Sequence, residues 1–250
     1  MAQQTPSNKL LITIPFWKGD QAQAMKLARL LADLQEQHST RADILFVSRF
    51  DCKHDKATID YVSRKFNVYA HVSQRREVGW PHGCNGTFFG SMEWFYWKKE
   101  SGQIPNYKAM FIAESDGAPL VDDWLGRLSI EWDKLNEMRK VYMAGAMIPD
   151  VVNNHPHING GCAFLSGELD FLKWIVTRVG GIPTAAGWDW VLNKQFETWG
   201  WSDLPCIKSY WRMPTFTEEQ WKPELMKGTV WLHGVKDDSL LDLARKKLVA

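Results

Sequence analysis

The chain is 250 residues long, with 30 basic and 29 acidic side chains and a net charge of +1. That length suits one large domain or two small ones. The cancelled charge excludes a global basic field that would draw the chain to nucleic acid or a membrane, leaving at most a local basic groove.

The four cysteines, Cys52, Cys84, Cys162 and Cys206, have neither metal-ligand nor redox-motif spacing and read as free thiols in a reducing compartment. Residues 1–9 are polar and lack a signal-peptide core. No stretch reaches the length of a membrane span. The expected location is cytoplasmic, with no membrane anchor.

In chain order, the apolar run at 10–15 predicts a first strand. Residues 20–37 follow with Ala24, Leu27, Leu30, Leu31 and Leu34 at helical spacing. Residues 42–48 predict a second strand ending in Arg49-Phe50-Asp51. The three together form a βαβ unit with a right-handed crossover. A helix at 57–65 and a short strand at 67–72 come next. Residues 79–86 form a glycine-rich loop, which opens a helix at 87–99. This loop matches neither a dinucleotide fingerprint nor a P-loop.

A fourth strand at 109–113 ends in Glu114-Ser115-Asp116, followed by Gly117-Ala118-Pro119, which reads as a turn. A helix at 123–138, a fifth strand at 140–148, and helices at 168–179 and 189–199 complete the pattern, with short strands between. The second half is rich in loops, glycine and tryptophan. There are 14 tryptophans in all. No linker, repeat or low-complexity tract marks a boundary.

Glu114 and Asp116 carry the chemistry. In open α/β sheets ligands bind outside the carboxyl ends of strands, and hard divalent cations take oxygen ligands, commonly alongside phosphates. The tripeptide therefore suggests a metal–diphosphate site. The alternative is a helix cap, a role for which Asp122 and Asp123 are better placed.

Late in the chain, Trp231-Leu232-His233-Gly234-Val235-Lys236 offers an imidazole to complete a carboxylate metal site. It also offers Lys236 as a point charge for phosphate. The other reading of His233 is a surface histidine in a turn. Gly187-Trp188-Asp189-Trp190 surrounds a carboxylate with aromatics, which suits a general base, although Asp189 could equally cap a helix. Residues 157–167 run from a polar, glycine-rich start into an apolar strand, allowing close backbone approach to a ligand or forming a strand with a bulge. Arg75 and Arg76 precede the glycine-rich loop, where they either bind diphosphate or an acidic acceptor or are solvated.

Taken in order, these segments resemble the GT-A-type glycosyltransferases. Glu114-Ser115-Asp116 stands where that family has a D-x-D-type motif. The stretch 157–166 resembles its G-G-containing acceptor strand, and 187–190 its G-W-acidic segment. His233-Gly234-x-Lys236 resembles its late metal ligand and phosphate lysine. The resemblance implies an α/β, Rossmann-like mixed sheet flanked by helices in a single domain over 1–250. In it, a nucleotide-sugar-binding half spans 9–120 and an acceptor-binding half 121–250.

It further implies Mn2+ or Mg2+ on Glu114, Asp116 and His233, with Ser115, Lys236 and Arg75 on the donor diphosphate. Pro15, Phe16 and Asp51 would hold the base and ribose of a UDP-sugar, and Asp189 would act as base. The acceptor is a glycan or a hydroxymethylated DNA base; basic and aromatic residues mingle at Arg75, Arg76, Trp80, Lys208, Tyr210, Trp211 and Arg212. Inverting branches carry the G-W-acidic segment and retaining branches the late histidine and lysine, so the resemblance leaves stereochemistry open. A nucleotidyltransferase would instead carry a glycine-rich signature after the first strand, where this chain has Pro15-Phe16-Trp17-Lys18-Gly19. A non-catalytic nucleotide-sugar-binding protein is the third possibility.

Overall fold

A computed structural model describes residues 7–149, 156–179, 186–194 and 199–249. The amino-terminal run alternates strand and helix: β1 (Ser7–Phe16), α1 (Gln21–Asp33), β2 (Ala42–Ser48), α2 (Lys56–Val62), β3 (Val68–Val72), α3 (His82–Glu100) and β4 (Tyr107–Ile112). Then come β5 (Gly117–Pro119), α4 (Trp124–Met138), β6 (Met143–Ile148) and β7 (His157–Ser166). Next are α5 (Leu169–Trp174), continued by a π-helical turn (Ile175–Val179), and α6 (Trp188–Lys194). The chain finishes with β8 (Trp201–Asp203), β9 (Ile207–Met213), α7 (Pro223–Met226), β10 (Trp231–Val235) and α8 (Ser239–Leu248).

The main sheet has seven strands in the order β3-β2-β1-β4-β7-β6-β8. β3, β2, β1 and β4 run parallel, while β7 is antiparallel to both β4 and β6. A second sheet, β5-β10-β9, forms beyond the carboxyl end of β4. This is the mixed, helix-flanked α/β sheet that the resemblance implies.

Side chains alternate across a strand, and β1 divides its residues between two cores accordingly. Leu10, Ile12, Ile14 and Phe16 pack with Leu27, Leu30 and Leu31 of α1 and with Trp124, Leu128 and Trp132 of α4. Leu11 faces the other way, into a layer with Phe88, Met92 and Phe95 of α3. Burial on both faces explains the apolar run Ile44-Leu45-Phe46-Val47 within β2, whose bounds match the expected ones.

The structure corrects several local expectations. Gly117-Ala118-Pro119 is a strand, because the segment is buried and pairs antiparallel with β10; the pairing crosses more than a hundred residues and leaves no local signal. The glycine-rich loop ends early, since α3 starts at His82. Gly83 and Gly86 are helical and let the helix pack closely, a Cβ at Gly83 standing 3.2 Å from Nη1 of Arg49. Asp123 occupies the N-cap of α4 but makes no side-chain cap bond, while Asp122 Oδ1 accepts the Asp123 N–H at 2.7 Å. The helix expected at 189–199 is described to Lys194, and 195–198 lie outside the described residues. Among the described residues, no helix is long and apolar enough to cross a membrane.

Candidate functional site

The acidic tripeptide is held between two strands. Glu114 N–H donates to the carbonyl of Gly161 in β7 at 3.0 Å, and the Asp116 carbonyl accepts from Gly234 and Val235 of β10, each at 3.0 Å. The Gly117 N–H closes a turn onto the Glu114 carbonyl at 3.1 Å. Register places His233 opposite Gly117 on one side and Ser209 on the other. Two distant segments thereby converge. Ligand atoms of Glu114, Asp116 and His233 all lie within 4.8 Å of one another.

Nε2 of His233 stands 2.9 Å from Oδ1 of Asp116 and 3.3 Å from Oε2 of Glu114. Its other ring nitrogen is 3.1 Å from the Ser209 hydroxyl. Gly234, at φ 100°, passes so close to β9 that a Cβ would fall 1.8 Å from the Tyr210 carbonyl oxygen. Glycine is required there, and the resulting bulge aims His233 at the carboxylates.

The cluster is charge-compensated in this state. Asp116 and His233 are buried. Burial would raise the Asp116 carboxyl, but His233 and Lys236 hold it well below the usual carboxylate range. Burial would likewise lower His233, but the Asp116 carboxylate and Cys162 hold it well above its ordinary value. Lys236, half exposed, closes on the other oxygen of Asp116.

The residues fit a divalent cation on three counts. Oδ1 of Asp116 is buried without a well-formed hydrogen bond. The space in front of the three donors is kept open by Gly161, where a Cβ would stand 2.3 Å from His233 Nε2 and 2.4 Å from Glu114 Oε2. Two carboxylates and an imidazole form an oxygen-rich set with one nitrogen, suited to Mn2+ or Mg2+.

Asp189 lies in the first turn of α6, past the cap position. Its Oδ2 accepts the Gly160 N–H at 3.0 Å and its Oδ1 the Trp190 N–H at 2.9 Å. Desolvation raises its pKa, and the charge of Glu114 adds to the effect. β7 thus carries Gly160 under Asp189 and Gly161 beside the cluster.

The other expected residues divide. Asp51, after β2, forms an ion pair with Arg49, whose Nε donates to Asp51 Oδ1 at 2.7 Å. The Arg49 guanidinium lies 5.0 Å from the Trp17 ring centre. The Phe16 ring is buried against Phe46 and His54, so only its backbone reaches the strand end beside the half-buried Pro15. Ser115 is buried between the two carboxylates. Arg75 is drawn toward α3, donating to Glu93 at 2.6 Å and lying 5.1 Å over Phe89. Of the mixed basic and aromatic residues, Trp80 and Trp211 are exposed, whereas Tyr210 packs against the core.

Sequence reasoning missed Asp20. It precedes α1 but makes no cap bond; its Oδ1 accepts the Trp17 N–H at 2.8 Å. Burial, with Glu114 and Asp116 adding to it, raises its pKa to about 6. Its signal is an acidic residue just beyond β1, the strand paired with β4. Cys84, in the first turn of α3, faces the same charges. Its surface is exposed, but crowding at the helix start and then the charges of Glu114, Asp20 and Asp189 push its thiol up.

No protein-family model matches this sequence, and no curated protein matches it. Solved structures do. The glycosyltransferase GlyE of Streptococcus pneumoniae TIGR4 superimposes with a TM-score of 0.51 at 10% identity over 96% of this chain; the chain spans 60% of GlyE. Mouse xyloside xylosyltransferase 1, in its apo form, superimposes with a TM-score of 0.50 at 14% identity, over 92% of this chain and 99% of that one. At these identities the likeness establishes the fold, which is that of these glycosyltransferases.

Proposed function

We propose that this protein is a metal-dependent glycosyltransferase that moves a hexose or pentose from a nucleotide-sugar, a UDP-sugar in our reading, to an acceptor hydroxyl. The observation that carries this reading is the Glu114–Asp116–His233 cluster at the carboxyl end of β4. Residues 9–120 would bind the donor and residues 121–250 the acceptor, which is a glycan or a hydroxymethylated DNA base.

Glu114, Asp116 and His233 would hold Mn2+ or Mg2+, which when bound neutralises charge on the departing diphosphate. Lys236 turns from Asp116 to a phosphate oxygen, a point charge on a flexible stem. The Arg49–Asp51 pair and Trp17 border the place for base and ribose, with Pro15 at the strand end. Asp189, its pKa raised by desolvation, takes the proton of the acceptor hydroxyl at its carboxylate in an inverting reaction.

The reading is tested by following nucleoside diphosphate release from UDP-hexoses and UDP-pentoses, with Mn2+ and with EDTA. Metal-dependent release of UDP supports it. Binding of donor without release, or release of pyrophosphate from a nucleoside triphosphate, overturns it.

A further inference from the structure

Asn85 sits in the first turn of α3 and is buried. Its side-chain amide spans two elements about a hundred residues apart. Oδ1 accepts the Trp188 N–H at 2.8 Å, and Nδ2 donates to the Ala186 carbonyl at 3.0 Å. The amide offers a donor and an acceptor side by side, whereas a carboxylate has no donor for the carbonyl.

One turn along α3, the Phe88 ring stacks on the Trp188 ring, with centroids 3.5 Å apart and planes 2° from parallel. The Trp188 ring in turn lies on Gly160, where a Cβ would meet it at 2.4 Å. The entry to α6 is thus fixed at its backbone by Asn85 and at its first ring by Phe88. The next residue is Asp189, anchored to the Gly160 N–H.

We propose that Asn85 is the residue that positions Asp189, a role that rests on the reading of Asp189 as the base. The same turn of α3 carries Gly83, packed under Arg49. One turn of helix therefore abuts the Arg49–Asp51 pair at the end of β2 and holds the acceptor-side carboxylate. Misplacing a reacting group by about 1 Å costs on the order of a hundredfold in rate. Loss of the clamp should therefore act on turnover rather than on donor affinity.

The test compares Asn85→Asp, Asn85→Ala, Asp189→Asn and the Asn85→Ala/Asp189→Asn double variant, using Mn2+ and the UDP-sugar that the wild type turns over. The expected result is a fall in kcat of about tenfold to a hundredfold for either Asn85 variant, with KM for the donor and Mn2+ affinity unchanged. The double variant should be no slower than Asp189→Asn alone, because the two residues act through one group. An unchanged kcat in Asn85→Ala, or a further fall in the double variant, overturns the assignment. Full activity in Asp189→Asn overturns instead the reading of Asp189 as base.

A second arm needs no turnover. Amide hydrogen exchange at 188–191 should accelerate in the metal-free Asn85 variants while exchange at 114–117 stays as in the wild type. Unchanged exchange at 188–191 overturns the clamp, even if Asn85→Ala proves too unstable to assay and only Asn85→Asp is soluble.

Discussion

Gly161 faces His233 so closely that a Cβ on residue 161 would stand 2.3 Å from the imidazole Nε2. A spare hydrogen atom on β7 keeps open the space shared by the three candidate ligands. Gly161→Ala should place a methyl group there. Mn2+ binding followed by calorimetry should be lost, and melting temperature should fall, because Glu114 and His233 must move apart in a packed site. Retained affinity would show that the cation, if one binds, does not lie in front of Gly161.

Asp116→Asn keeps the size of the side chain and removes the charge that compensates His233 and Lys236. Metal-dependent UDP release should fall by more than the roughly tenfold to hundredfold that losing a ligand's supporting partner costs. Breaking a buried ion pair also costs stability, about 3–5 kcal/mol for full removal of one partner. The asparagine should cost less than alanine, and circular dichroism should report an intact fold. Activity within a few fold of the wild type would place the metal elsewhere.

His233→Gln should weaken Mn2+ affinity more than it lowers melting temperature. The imidazole is buried, but its partners are the two carboxylates and Ser209 rather than the hydrophobic core. A metal titration identical to the wild type would remove His233 from the site.

What the sequence showed of this site was chemical type, and what it hid was long-range geometry. β2 was legible to the residue because both its faces are buried. β5 was not, since Gly-Ala-Pro has the local signature of a turn and becomes a strand only through β10. Glu114, Asp116 and His233 could be named from donor chemistry at strand ends. Gly161 registered only as part of a glycine-rich strand start, because its purpose depends on what stands opposite. Asp20 has a helix-capping pattern and turns its carboxylate elsewhere. Phe16 and Arg75 have suitable types for ligand contact, but tertiary packing engages their side chains with the core and with Glu93.

Asp189→Asn should lower transfer by about a hundredfold to ten-thousandfold if the reaction inverts. Both Asp189 oxygens accept a backbone N–H, and an amide can satisfy only one of them. An unpaired buried donor costs about 1–3 kcal/mol, so a moderate loss of melting temperature should accompany the rate loss while donor affinity holds. Unchanged transfer would indicate a retaining reaction, and the product anomer read by NMR would decide the same point on the wild type.

Asp20 makes the metal-free protein's stability depend on pH. Its folded pKa is raised to about 6 from 3.8, first by burial and then by Glu114 and Asp116; the Asp20 charge in turn acts on Arg49. A raised carboxyl binds its proton more tightly in the folded state than in the unfolded chain. Between pH 4 and 6 the folded state therefore holds more protons, and stability falls as pH rises through this window. The penalty is fully developed above the folded pKa and amounts to at most about 3 kcal/mol, since one pKa unit corresponds to about 1.4 kcal/mol. Asp20→Asn can still accept the Trp17 N–H and carries no charge. In EDTA, its melting temperature should exceed that of the wild type by several degrees at pH 7.5, and the difference should vanish by about pH 4. A difference that is constant across this range would show that the Asp20 carboxylate is not desolvated in the folded protein.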